Sequence, residues 1–285
     1  MRKVKAIHPA HATDYAGLLT YAVIPTGAIK METLQPFLFL NHHGPQNYPA
    51  HNHGLPFGPH PHKGFETVTF ILAGDVVHRD SHGYRSTINQ GGVQWMTAGK
   101  GIIHSEESSE EFKNTGGPVH VLQLWVNLPA NLKYTEPAYR GLQEDDIPFV
   151  LEDQGKIKVH IASGSWKNGK GAIQSLTGIN LSLVRMNPGS ATSIDIPADR
   201  QVLCYIIAGA LDVNGKIANA HEIAEFEHQG SSIRLEAKKE SLVLFGDGSP
   251  IHEPIAAHGP FVMNTWEEIK AAFNDYQNGV FGTLA

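Results

Sequence analysis

The chain has 285 residues, of which 41% are hydrophobic and only 18% charged, with 29 glycines and 17 prolines. That length allows one large or two ordinary domains, and the glycine and proline content suits short strands joined by turns better than a helical bundle. A formal net charge of −6 with no Lys/Arg block argues against direct nucleic-acid binding, and the single cysteine, Cys204, excludes an intrachain disulfide.

The first fifteen residues, "MRKVKAIHPAHATDY", lack the continuous apolar stretch of a signal peptide. No run approaches membrane-spanning length. The expected location is therefore the cytoplasm, or the nucleus in a eukaryote, with no membrane partner. Strand-like runs follow at residues 36–40, 66–74, 91–99 and 118–129, each apolar or alternating and bounded by Gly, Asn, Asp or Pro. Residues 132–150 turn polar and acidic and read as a linker. A second strand-rich block begins at "KIKVHIASG" and includes "VLCYIIAGAL", where Cys204 reads as a small core residue. Within "GSWKNGKG", Asn168-Gly169 predicts a hairpin turn; the stretch falls short of a phosphate-binding loop because Gly171 replaces the required Ser or Thr. Near the end, Thr265 with Glu268 three residues on predicts a capped helix that Asn278-Gly279 stops.

An internal repeat relates "TVTFILAGDV" (67–76) to "VLCYIIAGAL" (202–211) at an offset of 135. The expected class is all-β: two tandem barrels and a short C-terminal helix. Residues 1–135 form the first barrel, 136–148 the linker, and 149–285 the second barrel with the helix. The offset carries His60 to Asp195 and His62 to Pro197, so only the first barrel keeps its histidine pair.

Seventeen histidines are many for this length, and they crowd between His42 and His120. In a strand, residues i and i+2 share a face, so His60 and His62 converge. Downstream, "TAGKGIIHSEE" offers His104 and Glu106 at the same spacing, after glycines that permit a tight turn. Two neighbouring strands giving two inward side chains each would cage a divalent first-row metal with coordination positions left open. The rival pair His51 and His53 sits among turn residues and reads as loop. His42 and His43 are sequential and should diverge. His78 and His82 are expected at an exposed hairpin tip. Phe65, Phe70, Trp95 and Met96 are the aromatic and apolar candidates for a substrate wall, each with plain core packing as the simpler account.

The stretches "HPHKGFETV" (60–68), "QWMTAGKGIIHSE" (94–106), "LQLWVNLP" (122–129), "EPAYRGL" (136–142) and "HGPFVMNTWEEI" (258–269) resemble the pirin family of the cupin superfamily over nearly the whole chain. The resemblance implies two cupin barrels, with one mononuclear iron in the N-terminal barrel held by His60, His62, His104 and Glu106. Glu66, placed where the general cupin pattern has its glutamate, is not the expected ligand. Fe(II) is the implied ion; ligand softness also permits Mn, Ni, Co, Cu or Zn. The implied activity is that of a quercetin 2,3-dioxygenase, an oxidoreductase that cleaves a flavonol with O2 and releases CO. Glu106 would then also take the flavonol's 3-hydroxyl proton. The alternative the resemblance offers is an iron-dependent redox sensor acting through a protein partner, such as a transcriptional cofactor or a regulator of a metabolic enzyme. A two-barrel chain pairs its barrels internally, so a monomer is expected. Asn41 departs from the acidic residue expected for the family.

Overall fold

The apolar run that opens at Phe65 becomes the strand Phe65–Ala73, third in a seven-stranded sheet of the computed structural model, which describes residues 1–284. Across that sheet the order is Ala138–Leu142, Val93–Thr97, Phe65–Ala73, Gly117–Asn127, Phe37–Tyr48, Leu18–Ile24 and His11–Tyr15. A four-stranded sheet of Phe57–His62, Ile102–Glu107, Asp75–Asp80 and Arg85–Asn89 faces it. Alternation decides what lies between: Ile71 and Val121 from the larger sheet meet Val76 and Ile88 from the smaller one in a buried cluster. Thr69, on the same face as Ile71, reaches Glu106 of the facing sheet.

The second barrel repeats this order. Its larger sheet runs Val4–Pro9, Glu222–Phe226, Gln201–Ala208, Ser241–Gly248, Asn180–Met186, Ile157–Ser163 and Phe149–Glu152. Its smaller sheet runs Ala191–Asp195, Ser232–Ala237, Ala210–Val213 and Lys216–Asn219. Gln201–Ala208 thus holds the third place that Phe65–Ala73 holds in the other barrel, and the repeat is one of topology. Cys204 is buried in this core, with its thiol pushed up to about 12 by burial. The class is all-β with two barrels and a short C-terminal helix, Trp266–Gln277.

The helix starts as its residues require. Thr265 accepts from the Glu268 N–H, the Glu268 carboxylate accepts from the Thr265 N–H, and Asn278 caps the other end. The hairpin near residue 168 forms one residue earlier than predicted. Gly169 is already paired with Trp166, so Lys167 and Asn168 make the turn, with Lys167 at φ 48°.

The tandem division needs correction at its ends. One unit comprises residues 1–11, 22–37 and 145–250, and the other 12–21, 38–144 and 251–285. Val4–Pro9 pairs with Glu222–Phe226 as an edge strand of the C-terminal barrel. The C-terminal helix belongs to the N-terminal barrel, where Ile269 and Ala272 pack on Phe261, Met263 and Ile103. The supposed linker is also partly sheet, since Ala138–Leu142 pairs with Val93–Thr97. Edge strands bury only part of their surface, so their sequences stay polar and resemble loops.

Candidate metal centre

The histidines converge through strand register. Phe57–His62 pairs antiparallel with Ile102–Glu107, so His104 faces His60, Ile102 faces His62, and a register shift sets Glu106 against Phe57. Glycines prepare the second strand. Gly99 lies at φ 48° with space for no side chain, because a Cβ there would sit 2.1 Å from the Thr135 carbonyl oxygen. The result brings donor nitrogens of His60, His62 and His104 within 4.8 Å of one another.

Each imidazole is set up to offer a lone pair. His60 Nδ1 donates to the Gly58 carbonyl at 2.7 Å and His62 Nδ1 to the Pro260 carbonyl at 3.3 Å, leaving both Nε2 atoms as acceptors. His104 is fully buried and neither of its ring nitrogens has a hydrogen-bond partner. Leaving such groups unpaired is costly unless something else satisfies them. Burial, with His60 nearby, pushes His62 down to about 3, and burial with His62, His60 and His78 nearby pushes His104 well below the usual range. Neutral imidazole is the form that binds metal. The donor set therefore fits a divalent first-row ion.

Glu106 stands apart from this cluster. Its Oε1 accepts from Thr69 Oγ1 at 2.8 Å and from Gln94 Nε2, and its Oε2 accepts from Gln123 Nε2 at 3.2 Å. Three neutral donors from three strands thus hold a buried carboxylate, and Oε2 keeps lone-pair capacity. Glu106 lines the same pocket as His60 and His62. Glu66 does not: its Oε1 accepts from Trp95 Nε1 at 3.0 Å and Thr97 Oγ1 at 2.7 Å, and burial pushes its carboxyl up.

The pocket encloses about 170 Å³ between Tyr15, Phe39, Asn41, His43, Phe57, His60, His62, Glu106, Gln123 and Trp125. A shallower cavity of about 600 Å³ shares Tyr15, Phe57, His60, His62 and Trp125 with it and extends to Pro260. Phe39 stacks on Trp125 at 4.6 Å, and Tyr15 lies 5.7 Å from Phe57. None of the four predicted wall residues lines either cavity. Phe65, Phe70, Trp95 and Met96 are buried packing, and Phe65 acts only from behind, 4.4 Å from the Trp125 ring. Proximity to a motif in sequence misled here. The wall comes from strands whose residues face the barrel interior.

His78 also needs correction. It is fully buried, opposite Glu106 in the ladder between Asp75–Asp80 and Ile102–Glu107. Its Nε2 bonds Asp80 Oδ2 at 2.9 Å and its ring stacks on Tyr139 at 3.9 Å. The hairpin tip lies beyond it, where Asp80 Oδ1 accepts the N–H groups of His82 and Tyr84. His42 and His43 diverge as read. His43 faces the pocket, whereas His42 stacks against His120 at 4.7 Å. His51 and His53 are exposed loop residues. In the other barrel, Asp195 and Pro197 are exposed, and Ile194, Ile233 and Leu235 belong to an apolar core. Among the described residues no second cluster of three potential metal ligands occurs.

Comparisons with known proteins converge on one family. The Pirin profile matches residues 19–126, and that of the Pirin C-terminal cupin domain matches residues 182–282. A protein of Pseudomonas aeruginosa named "putative quercetin 2,3-dioxygenase" is 39% identical over 98% of both chains. Pirin-1 of Arabidopsis thaliana is 40% identical over 79% of this chain and 78% of its own. A crystal structure of quercetin 2,3-dioxygenase from Acinetobacter baumannii superposes with a TM-score of 0.92 at 35% identity, covering 99% of both chains.

Proposed function

We propose a function on the premise that the chain belongs to the pirin family: it is a metal-dependent dioxygenase that cleaves flavonols such as quercetin with O2 and releases CO. The observation that carries this reading is the cluster of three imidazoles opening on an aromatic-lined pocket. His60, His62 and His104 would hold the ion, with Glu106 Oε2 as the fourth donor. A bound divalent ion, Fe(II) on this reading, supplies a Lewis acid that lowers the pKa of a hydroxyl oxygen placed on it.

The chain's own residues supply the remainder. Phe39, Trp125 and Phe57 offer flat apolar surface that orients a planar ring system and keeps water from it. Glu106 Oε2 takes the 3-hydroxyl proton as general base in place of, and not beside, its contact with the ion. Thr69, Gln94 and Gln123 keep that carboxylate aimed, because each donates to it and none competes for the proton. The Gly58 and Pro260 carbonyls fix the tautomers of His60 and His62.

The test is anaerobic reconstitution with Fe(II), then quercetin in an oxygen electrode with CO detection. Equimolar O2 uptake and CO release are expected. One tightly bound metal per chain with no O2 uptake would refute the dioxygenase reading.

A further inference from the structure

We infer that His43 is a specificity-determining residue: its Nε2 accepts a hydrogen bond from a phenolic hydroxyl of the bound substrate, one distinct from the oxygens that face the histidine cluster. The inference rests on the flavonol reading above and adds a second point of recognition to it.

The argument begins with Thr20. Its hydroxyl carries one proton and donates it to the Leu18 carbonyl at 3.1 Å. The same oxygen lies 2.8 Å from His43 Nδ1 and therefore accepts from Nδ1–H. That fixes the tautomer and leaves the His43 Nε2 lone pair unprotonated. The hydrogen bond of the His43 ring among the described residues is the one at Nδ1, and the ring lines the pocket. Burial also pushes His43 down to about 4, so the ring is neutral at neutral pH and presents an acceptor only.

Position gives the acceptor its role. His43 and Asn41 stand at i and i+2 on Phe37–Tyr48, so both project from the seven-stranded sheet onto one wall. His60, His62 and His104 come from the facing four-stranded sheet. A planar ligand held at the histidine cluster by two oxygens meets His43 with a different part of its rings. The His43 ring lies 5.0 Å from the Phe57 ring, so the acceptor sits beside a flat apolar surface. A buried acceptor discriminates by being left unpaired when the ligand lacks its donor.

Quercetin and 3-hydroxyflavone share the 3-hydroxyl and 4-carbonyl, but 3-hydroxyflavone has no other hydroxyl. Their binding to the metal-loaded full chain is measured without O2 by quenching of tryptophan fluorescence, for the wild type, His43→Phe and His43→Gln. We expect the wild type's preference for quercetin to fall about fivefold to tenfold in His43→Phe, with 3-hydroxyflavone binding nearly unchanged. His43→Gln keeps an acceptor oxygen and should keep most of the preference. An equal preference in wild type and His43→Phe overturns the inference and leaves the flavonol reading standing. Equal loss in both variants also overturns it, reducing His43 to packing. Failure of the wild type to bind either flavonol overturns the flavonol reading and the inference together.

Discussion

Replacing His104 with leucine separates the two demands placed on that position. The His104 ring is fully buried and neither nitrogen has a hydrogen-bond partner. An unsatisfied buried polar group costs about 1–3 kcal/mol. Leucine has similar volume and no such group, so metal-free His104→Leu should be more stable than metal-free wild type by about 1–3 kcal/mol. For a domain of this size that is an increase of about 2–10 °C in Tm. Metal should reverse the order. An ion at 1,000 times its Kd stabilises the wild type by about 4.1 kcal/mol and should leave the variant nearly unmoved. Thermal unfolding in chelator and in excess Fe(II), under anaerobic conditions, reads both effects. A variant less stable than wild type in chelator would falsify the view that His104 is held unsatisfied for a ligand's sake.

Three further predictions follow from the same geometry. Glu106→Gln should fold normally, because Thr69 and Gln94 can still donate to the amide oxygen and Gln123 can turn its own amide to accept from the new NH2, yet lose about 10²–10⁴-fold in flavonol turnover by steady-state O2 uptake. Undiminished turnover would remove the base role. Lys133 is buried with its ammonium on the Gly64 and Val262 carbonyls and Asn127 Oδ1, and burial pushes it down to about 8 from 10.5. Between those pH values the unfolded chain holds a proton the folded chain has lost, so stability rises with pH, by about 3 kcal/mol in total. Denaturation from pH 7 to 10.5 should show that rise in wild type and not in Lys133→Met; parallel curves would refute it. Gly99→Ala puts a methyl group 2.1 Å from the Thr135 carbonyl at a positive φ, which should destabilise by more than about 1 kcal/mol in chemical denaturation and weaken metal retention.

The histidine cluster was legible because its logic is local. His60 and His62 share a face by strand alternation alone, and the glycine-flanked His104 repeats the motif. The capping box at Thr265 and the 135-residue repeat are legible for the same reason, since each depends on residues close in sequence or on like sequence giving like topology. The donors on Glu106 were not legible. Thr69, Gln94 and Gln123 come from three strands, and nothing in their own neighbourhoods marks them as partners of one carboxylate. His78 misled because a polar run reads the same on an edge strand as on one flanked by two others.

By itself, then, the sequence determined the all-β class, the two-barrel repeat and three converging imidazoles, because alternation and turn chemistry act over a few residues. Only the tertiary structure decided which ends belong to which barrel. It also decided that Phe39, His43 and Trp125, not Phe70 or Trp95, make the pocket wall. Those outcomes depend on which strands become neighbours. Pairing between distant strands is set by the burial of whole faces, a sum over many residues that no short stretch of chain contains.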